Sequence, residues 1–344
     1  MTAATYNGSR TFGTVEPVSV PPRAGEVQIA VSYTGLCGTD LHIFHGDMDA
    51  RVNMPAIIGH EMSGVIAAVG EGVTKWAVGQ PVTVMPTLSC GECAACRRGH
   101  SHICHKLDFV GIDSAGSLQN YWNVPAKIVV ALPGDLALDE AALIEPTAVA
   151  VHDVRRSRLA AGEFVVVIGG GPVGQLIASV ALQRGARVVL VELDPARRAI
   201  AQEWGINAID PREQDLVDLV VEETDGAGAD VAFEVSGSAA GVNSAVEVLT
   251  TRGRLVMVAI HPKPKEIDLH RFFWRELEMF GARLYQREDF EEAVRLVADG
   301  SIPARRLISR VVQLDNVQEG FLALESGGNM KVLVDCRAHA EVSA

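Results

Sequence analysis

Apolar residues follow two different patterns along the chain. Up to about residue 150 they come in short runs broken by Gly and Pro. Glu26-Val27-Gln28-Ile29-Ala30-Val31 alternates with period two, which predicts a half-buried strand. Ser63 to Gly70 and Gly79 to Val84 continue in that style, giving a β-rich, partly barrel-like body whose turns carry the Cys and His residues. From about Glu163 the runs become continuous. Phe164-Val165-Val166-Val167-Ile168 is wholly apolar, as a parallel strand buried on both faces must be. A helix over Gln175 to Arg184, a strand from Arg187 to Val191 and a strand from Asp230 to Val235 follow. Next come a helix near Gly241 to Leu249, a strand from Gly253 to Val258 and a last strand of this series from Leu277 to Tyr285. Such alternation predicts a doubly wound parallel sheet. An amphipathic helix over Glu288 to Asp299 and a strand-like Lys331 to Cys336 close the chain, with no internal repeat.

The turn after the first continuous run reads Gly169-Gly170-Gly171-Pro172-Val173-Gly174. In a G-x-G-x-x-G turn the glycines allow a tight bend, close approach of backbone to a pyrophosphate, and close helix–strand packing. The helix that follows offers free N–H groups to phosphate. Glu192 ends the next strand, eighteen residues after Gly174, where a carboxylate accepts the ribose hydroxyls of NAD and repels the 2′-phosphate of NADP. Arg197 and Arg198 pull mildly the other way, as arginines suited to that phosphate, to stacking on adenine, or to a solvated helix face. The pattern favours NAD.

Composition narrows the function class. The 344 residues suffice for two domains, and a net charge of −13 argues against nucleic acid and anionic membrane surfaces as partners. Neither an eighteen-residue apolar run nor a secretory-type h-region occurs in the sequence, so a cytoplasmic location is expected. Four of the six cysteines crowd together at Cys90, Cys93, Cys96 and Cys104. This spacing suits a closed Zn–S4 site that stabilises a lobe and does no chemistry. An iron–sulfur cluster is the rival, since C-x2-C-x2-C also ligates clusters. Losing this metal should cost stability first.

A second group is Cys37-Gly38-Thr39-Asp40-Leu41-His42 with Gly59-His60-Glu61, which gathers a thiol, imidazoles, carboxylates and a hydroxyl. That mixture suits a catalytic metal, though each residue alone fits an ordinary polar loop.

Together with Glu145-Pro146, these motifs stand in the order of the zinc-dependent medium-chain dehydrogenases, and the resemblance spans essentially the whole chain. It is greatest to the polyol branch: sorbitol, 2,3-butanediol and threonine dehydrogenases. The resemblance implies a GroES-like catalytic domain over residues 1–150, a Rossmann NAD-binding domain over 151–285 and a return to the catalytic domain over 286–344. It places NAD in the interdomain cleft and implies two zinc ions per chain, one catalytic and one structural. Its members are usually tetramers, sometimes dimers.

Carried over residue by residue, Cys37 and His60 are zinc ligands, with Glu61 and Glu145 completing a set that exchanges. Glu61 is alternatively a hydrogen-bonding neighbour of the metal, and Glu145 a helix-start carboxylate. Thr39 takes the substrate proton, His42 passes it to solvent, and Asp40 orients the His60 ring. Gly169, Gly171, Pro172, Val173, Gly174, Glu192 and Arg197 hold the dinucleotide. Some dehydrogenases carry a pyrophosphate-binding arginine after the zinc cysteine; Gly38 stands there instead.

The expected activity is hydride transfer from a secondary alcohol of a polyol or vicinal diol to NAD+, giving a ketone. Threonine is the rival substrate. A non-catalytic NAD- or zinc-binding protein, or a zinc-free reductase, is the rival class.

Overall fold

A computed structural model describes residues 1–18 and 20–338. The chain divides into two units, one made of Met1–Glu145, Gln286–Gly300 and the segment from Ala304 onward, the other of Pro146–Tyr285 and Ser301–Pro303. The first division falls inside a helix, Ile144–Arg156, five residues before the boundary read from the sequence.

The first unit opens on an antiparallel pair, β1 (Ala3–Tyr6) and β2 (Phe12–Val15). It continues through β3 (Glu26–Gly35), β4 (Glu61–Val69), β5 (Pro81–Val84), β6 (Thr87–Leu88), β7 (Asp108–Phe109), β8 (Tyr121–Pro125) and β9 (Val129–Ala131). The second unit carries β10 (Phe164–Ile168), β11 (Arg187–Val191), β12 (Asn207–Ile209), β13 (Ala229–Glu234), β14 (Leu249–Met257) and β15 (Glu278–Gly281). The chain then returns to the first unit with β16 (Ile308–Gln313) and β17 (Lys331–Asp335).

The main sheet of the first unit has the order β16-β17-β3-β4-β5-β9, with β8 also paired to β3. Val27, Ile29 and Val31 of β3 are fully buried while Gln28 and Ala30 are not, the period-two pattern that the sequence carries. Two registers matter for the site. Leu333 of β17 faces Gly35 of β3, and Gly35 faces Glu61 of β4, so the starts of β17 and β4 flank the end of β3.

The second unit is a six-stranded sheet, β12-β11-β10-β13-β14-β15, parallel throughout. All five residues of β10 are buried, which explains the uninterrupted apolar run. Strand order reverses at β10, so the loops after β10 and β13 part at their carboxyl ends, where ligands of such sheets bind. The strand expected from Leu277 to Tyr285 is shorter than that span. Only Glu278–Gly281 pairs, with β14 alone, and Leu284 takes a left-handed conformation at φ 58° that ends any extended run.

Candidate metal and dinucleotide sites

The ligand atoms of Cys90, Cys93, Cys96 and Cys104 all lie within 4.8 Å of one another. Cys93 Sγ is 3.5 Å from Cys96 Sγ and 3.8 Å from Cys104 Sγ, and Cys104 Sγ is 3.4 Å from Cys90 Sγ. A disulfide needs about 2.05 Å. A tetrahedral ion with sulfur at about 2.3 Å sets ligand edges of about 3.8 Å, close to what is seen. A cluster would interpose iron and sulfide and hold the thiols further apart. Backbone N–H groups of Cys96 and His105 donate to Cys93 Sγ and bring its thiol down to about 5. Burial and the neighbouring sulfurs push Cys96 up to about 12. Four thiols this close ionise together only against a cation. The donor set fits zinc, and with four protein ligands it leaves no open position.

The second group is Cys37, His60 and Glu61, whose ligand atoms also fall within 4.8 Å of one another. Cys37 precedes the short helix Gly38–Phe44, while His60 and Glu61 lead into β4. His60 and Glu61 are buried, and Phe109 packs edge-on against the imidazole at 5.1 Å between ring centres. Burial alone would lower the His60 imidazole, but Asp40 and Cys37 outweigh it and hold it well above its usual value. A thiol and an imidazole from separate elements, converging beside a carboxylate, fit a metal centre that keeps room for another ligand.

Asp40 has no exposure, and its two oxygens divide their work. Oδ2 accepts the Cys37 backbone N–H at 3.0 Å, tying the start of the helix. Oδ1 faces His60 Nδ1 at 3.5 Å, an ion-pair distance too long for a good hydrogen bond. Thr39 lies half-buried in the first turn of the same helix, and among the described residues its hydroxyl caps no backbone group. His42, one turn on, is half-exposed with Nδ1 3.0 Å from Asp47 Oδ2. His45 points elsewhere, to Glu325 at 2.8 Å, and His152 belongs to the second unit.

Sequence reasoning missed Lys331. Its side chain is 3% exposed, and Nζ donates to Glu61 Oε1 at 2.9 Å, to Glu61 Oε2 at 2.6 Å and to the Leu36 carbonyl at 3.2 Å. Burial works against the ammonium, but Glu61, Cys37 and Glu145 together keep it above the ordinary lysine value. Lysine has three N–H donors, and all three are used. Both oxygens of Glu61 therefore accept from this ammonium, each keeping a second lone pair. Glu145 is buried in the first turn of Ile144–Arg156, outside the three-residue group, yet near enough for its charge to act on Lys331. The sequence signal for Lys331 was a charged residue opening a terminal strand whose middle, Val332 to Val334, is apolar.

In the second unit the glycine turn joins β10 to the helix Pro172–Gln183, with Gly171 as N-cap and Pro172 at the first position. A side chain at Gly174 would put its Cβ 1.8 Å from the Gly169 carbonyl oxygen, so only glycine lets this helix close on the strand. At Gly171 a Cβ would meet nothing within 4 Å, which leaves open space over the helix N-terminus. Glu192 Oε2 accepts the Gly170 N–H at 2.8 Å and Oε1 accepts the Asp194 N–H at 2.9 Å, so the carboxylate is fixed beside the turn. Arg198 is turned away, donating to the Glu192 and Leu193 carbonyls and to Asp210. Arg197 stays close, 3.8 Å from Glu192 Oε2. An open turn with a fixed acidic residue beside it fits a dinucleotide.

Residues 23–134 match the family model described as "Alcohol dehydrogenase GroES-like domain", and residues 172–299 match "Zinc-binding dehydrogenase". The chain is 47% identical over 339 residues to a 2-dehydro-3-deoxy-L-galactonate 5-dehydrogenase of Pseudoalteromonas atlantica, covering 98% of this chain and 99% of that one. A crystal structure of 2R,3R-butanediol dehydrogenase from Bacillus subtilis is similar at a TM-score of 0.90 and 31% identity, covering 98% of this chain and 99% of the other. A zinc-binding dehydrogenase structure from Sinorhizobium meliloti 1021, bound to NADP, is similar at a TM-score of 0.91 and 30% identity, covering 97% and 98%. The chain is an oxidoreductase and belongs to the zinc-dependent medium-chain dehydrogenase family, within which polyol dehydrogenases fall.

Proposed function

We propose that this protein oxidises a secondary alcohol flanked by further oxygen functions, in a polyol, a vicinal diol or a sugar acid, to the ketone, with NAD+ as acceptor. The observation that carries the reading is the convergence of Cys37, His60 and Glu61 at the head of the helix that also bears Thr39 and His42. When bound, zinc supplies Lewis acidity that makes an alcohol a stronger acid, and the nicotinamide supplies a hydride acceptor. The chain's own residues do the rest. Cys37 and His60 hold the metal, and Asp40 keeps the His60 ring in one orientation. Lys331 holds Glu61 in place and offsets part of the site's negative charge. Glu145 is the second buried carboxylate whose charge acts on the same ammonium. Thr39 takes the proton from the substrate hydroxyl, and His42, one turn along and half in water, releases it to solvent.

The fixed carboxylate of Glu192 and the diversion of Arg198 support NAD, although a relative is described with NADP. A homo-oligomer is supported by exposed Leu269, Phe273, Trp274 and Met279 near the free edge strand β15, a surface suited to burial against a second copy. No helix among the described residues is long and apolar enough to cross a membrane. Metal-ready free thiols suit a reducing, cytoplasmic setting. The test is reduction of NAD+ and NADP+ with a panel of 2,3-butanediol, sorbitol, aldonic and 3-deoxy-ketoaldonic acids, threonine and ethanol. Turnover of simple alcohols alone, or a preference for NADP+, would overturn the reading.

A further inference from the structure

The helix that starts at Cys37 ends in a way that reaches back to its own histidine. His45 is the C-cap, and Gly46 follows at φ 85°, a conformation that favours glycine. The Gly46 N–H donates to the Ile43 carbonyl at 2.9 Å, and the Asp47 N–H donates to the His42 carbonyl at 3.0 Å. These two bonds make a Schellman motif, in which the residue after the glycine is pinned to the one five positions earlier. His42 and Asp47 are that pair. Backbone geometry therefore delivers the Asp47 carboxylate to the His42 ring, where Oδ2 lies 3.0 Å from Nδ1. His45, the next histidine along, is engaged elsewhere: it pairs with Glu325, which Arg10 also grips with two bonds.

We propose that Asp47 is a positioning residue for proton transfer, holding His42 as the tautomer protonated on Nδ1. This rests on the role given to His42 above. An ionised carboxylate only accepts hydrogen bonds, so Nδ1 must be the donor of this contact. A neutral ring with its proton on Nδ1 leaves the Nε2 lone pair bare. Nε2 then takes up one proton to give an imidazolium paired with the Asp47 carboxylate. The same proton leaves Nε2 for bulk water, and both side chains end as they began. A ring with its proton on Nε2 would have no lone pair facing outward from Asp47 to do this. The pair's exposure, 42% and 61% of the two side chains, suits a group that must reach solvent. It also means that the contact adds little to stability, so loss of Asp47 should not unfold the chain.

The test pairs ring-nitrogen NMR with kinetics on the full zinc-loaded chain. Long-range 1H–15N spectra recorded above neutral pH report the tautomer, with the His42 signals assigned by their loss in His42→Gln. The wild type should be protonated on Nδ1. Asp47→Ala should shift the ring toward Nε2–H, whereas Asp47→Asn, whose amide oxygen still accepts, should keep Nδ1–H. With 2,3-butanediol and NAD+, Asp47→Ala should lower kcat roughly 3- to 10-fold with KM unchanged, a fraction of what a general acid–base group supplies, and Asp47→Glu should restore most of it. An Nε2–H ring in the wild type, or an Asp47→Ala variant with unaltered tautomer and kcat, overturns the proposal. If His42→Gln slows turnover while Asp47→Ala does not, this proposal alone falls. If His42→Gln changes nothing, the proton-transfer reading falls and takes this one with it.

Discussion

Replacing Lys331 with methionine removes a charge from a place that water does not reach. The ammonium makes two bonds to Glu61, at 2.6 and 2.9 Å, and one to the Leu36 carbonyl at 3.2 Å, with side-chain exposures of 3% and 1% for the ionic partners. Removing one partner of a buried pair costs about 3–5 kcal/mol, since the other charge stays buried without compensation. The Leu36 carbonyl loses a donor worth about 1 kcal/mol. Methionine fills nearly the same volume, so little cavity cost is added. We expect a loss of about 5 kcal/mol in all, with the larger part electrostatic. In urea this should lower the midpoint of the first unit's transition by about 1–2 M. The double variant Lys331→Met with Glu61→Gln removes both charges and should recover about 2 kcal/mol of that loss. A midpoint close to wild type for the single variant, or no recovery in the double variant, would refute the electrostatic reasoning and leave Lys331 as simple packing.

Three further outcomes are expected. Cys93→Ser should release the metal of the four-cysteine lobe and lower thermal stability before it lowers activity, which zinc analysis and calorimetry on one sample would separate. Glu192→Ser frees the Gly170 and Asp194 N–H groups and removes the charge proposed to face the ribose; KM for NAD+ should rise roughly 10-fold while KM for NADP+ falls, and unchanged selectivity would remove Glu192 from the cofactor site. Arg10 first, then His45, holds the Glu325 carboxyl at about 2, below its ordinary 4.5. Its stabilising contribution is complete above pH 4.5 and is lost as pH falls toward 2. Glu325→Gln should therefore lower stability slightly at neutral pH and leave it unchanged near pH 2, flattening the acid side of the stability–pH curve by that same small amount, the pair being partly exposed.

Features that a local pattern specifies were legible in the sequence. The apolar run at Phe164 to Ile168 could only be a strand covered on both faces, and the spacing of Cys90, Cys93, Cys96 and Cys104 already described a four-sulfur lobe. Features that depend on topology were not. Lys331 and Glu61 are 270 residues apart, and they meet because β17 and β4 both pair with β3. Arg197 and Arg198 are adjacent in sequence, yet Asp210, on the far side of β12, draws away only the second. The strand expected to run to Tyr285 stops at Gly281, opposite Met257 where its partner β14 ends, and Leu284 then turns left-handed. Asp47 carried no signal at all in a polar turn. Its significance comes from the way the helix ends.

The central claim is that Cys37 and His60 form a metal site separate from the four-cysteine lobe and that this site does the chemistry. The most direct test measures zinc per chain together with NAD+ reduction in wild type and Cys37→Ser. The account predicts about two zinc ions falling to about one, with turnover abolished and the unfolding transition of the lobe unmoved. A Cys37→Ser protein that keeps its zinc and its turnover would contradict it.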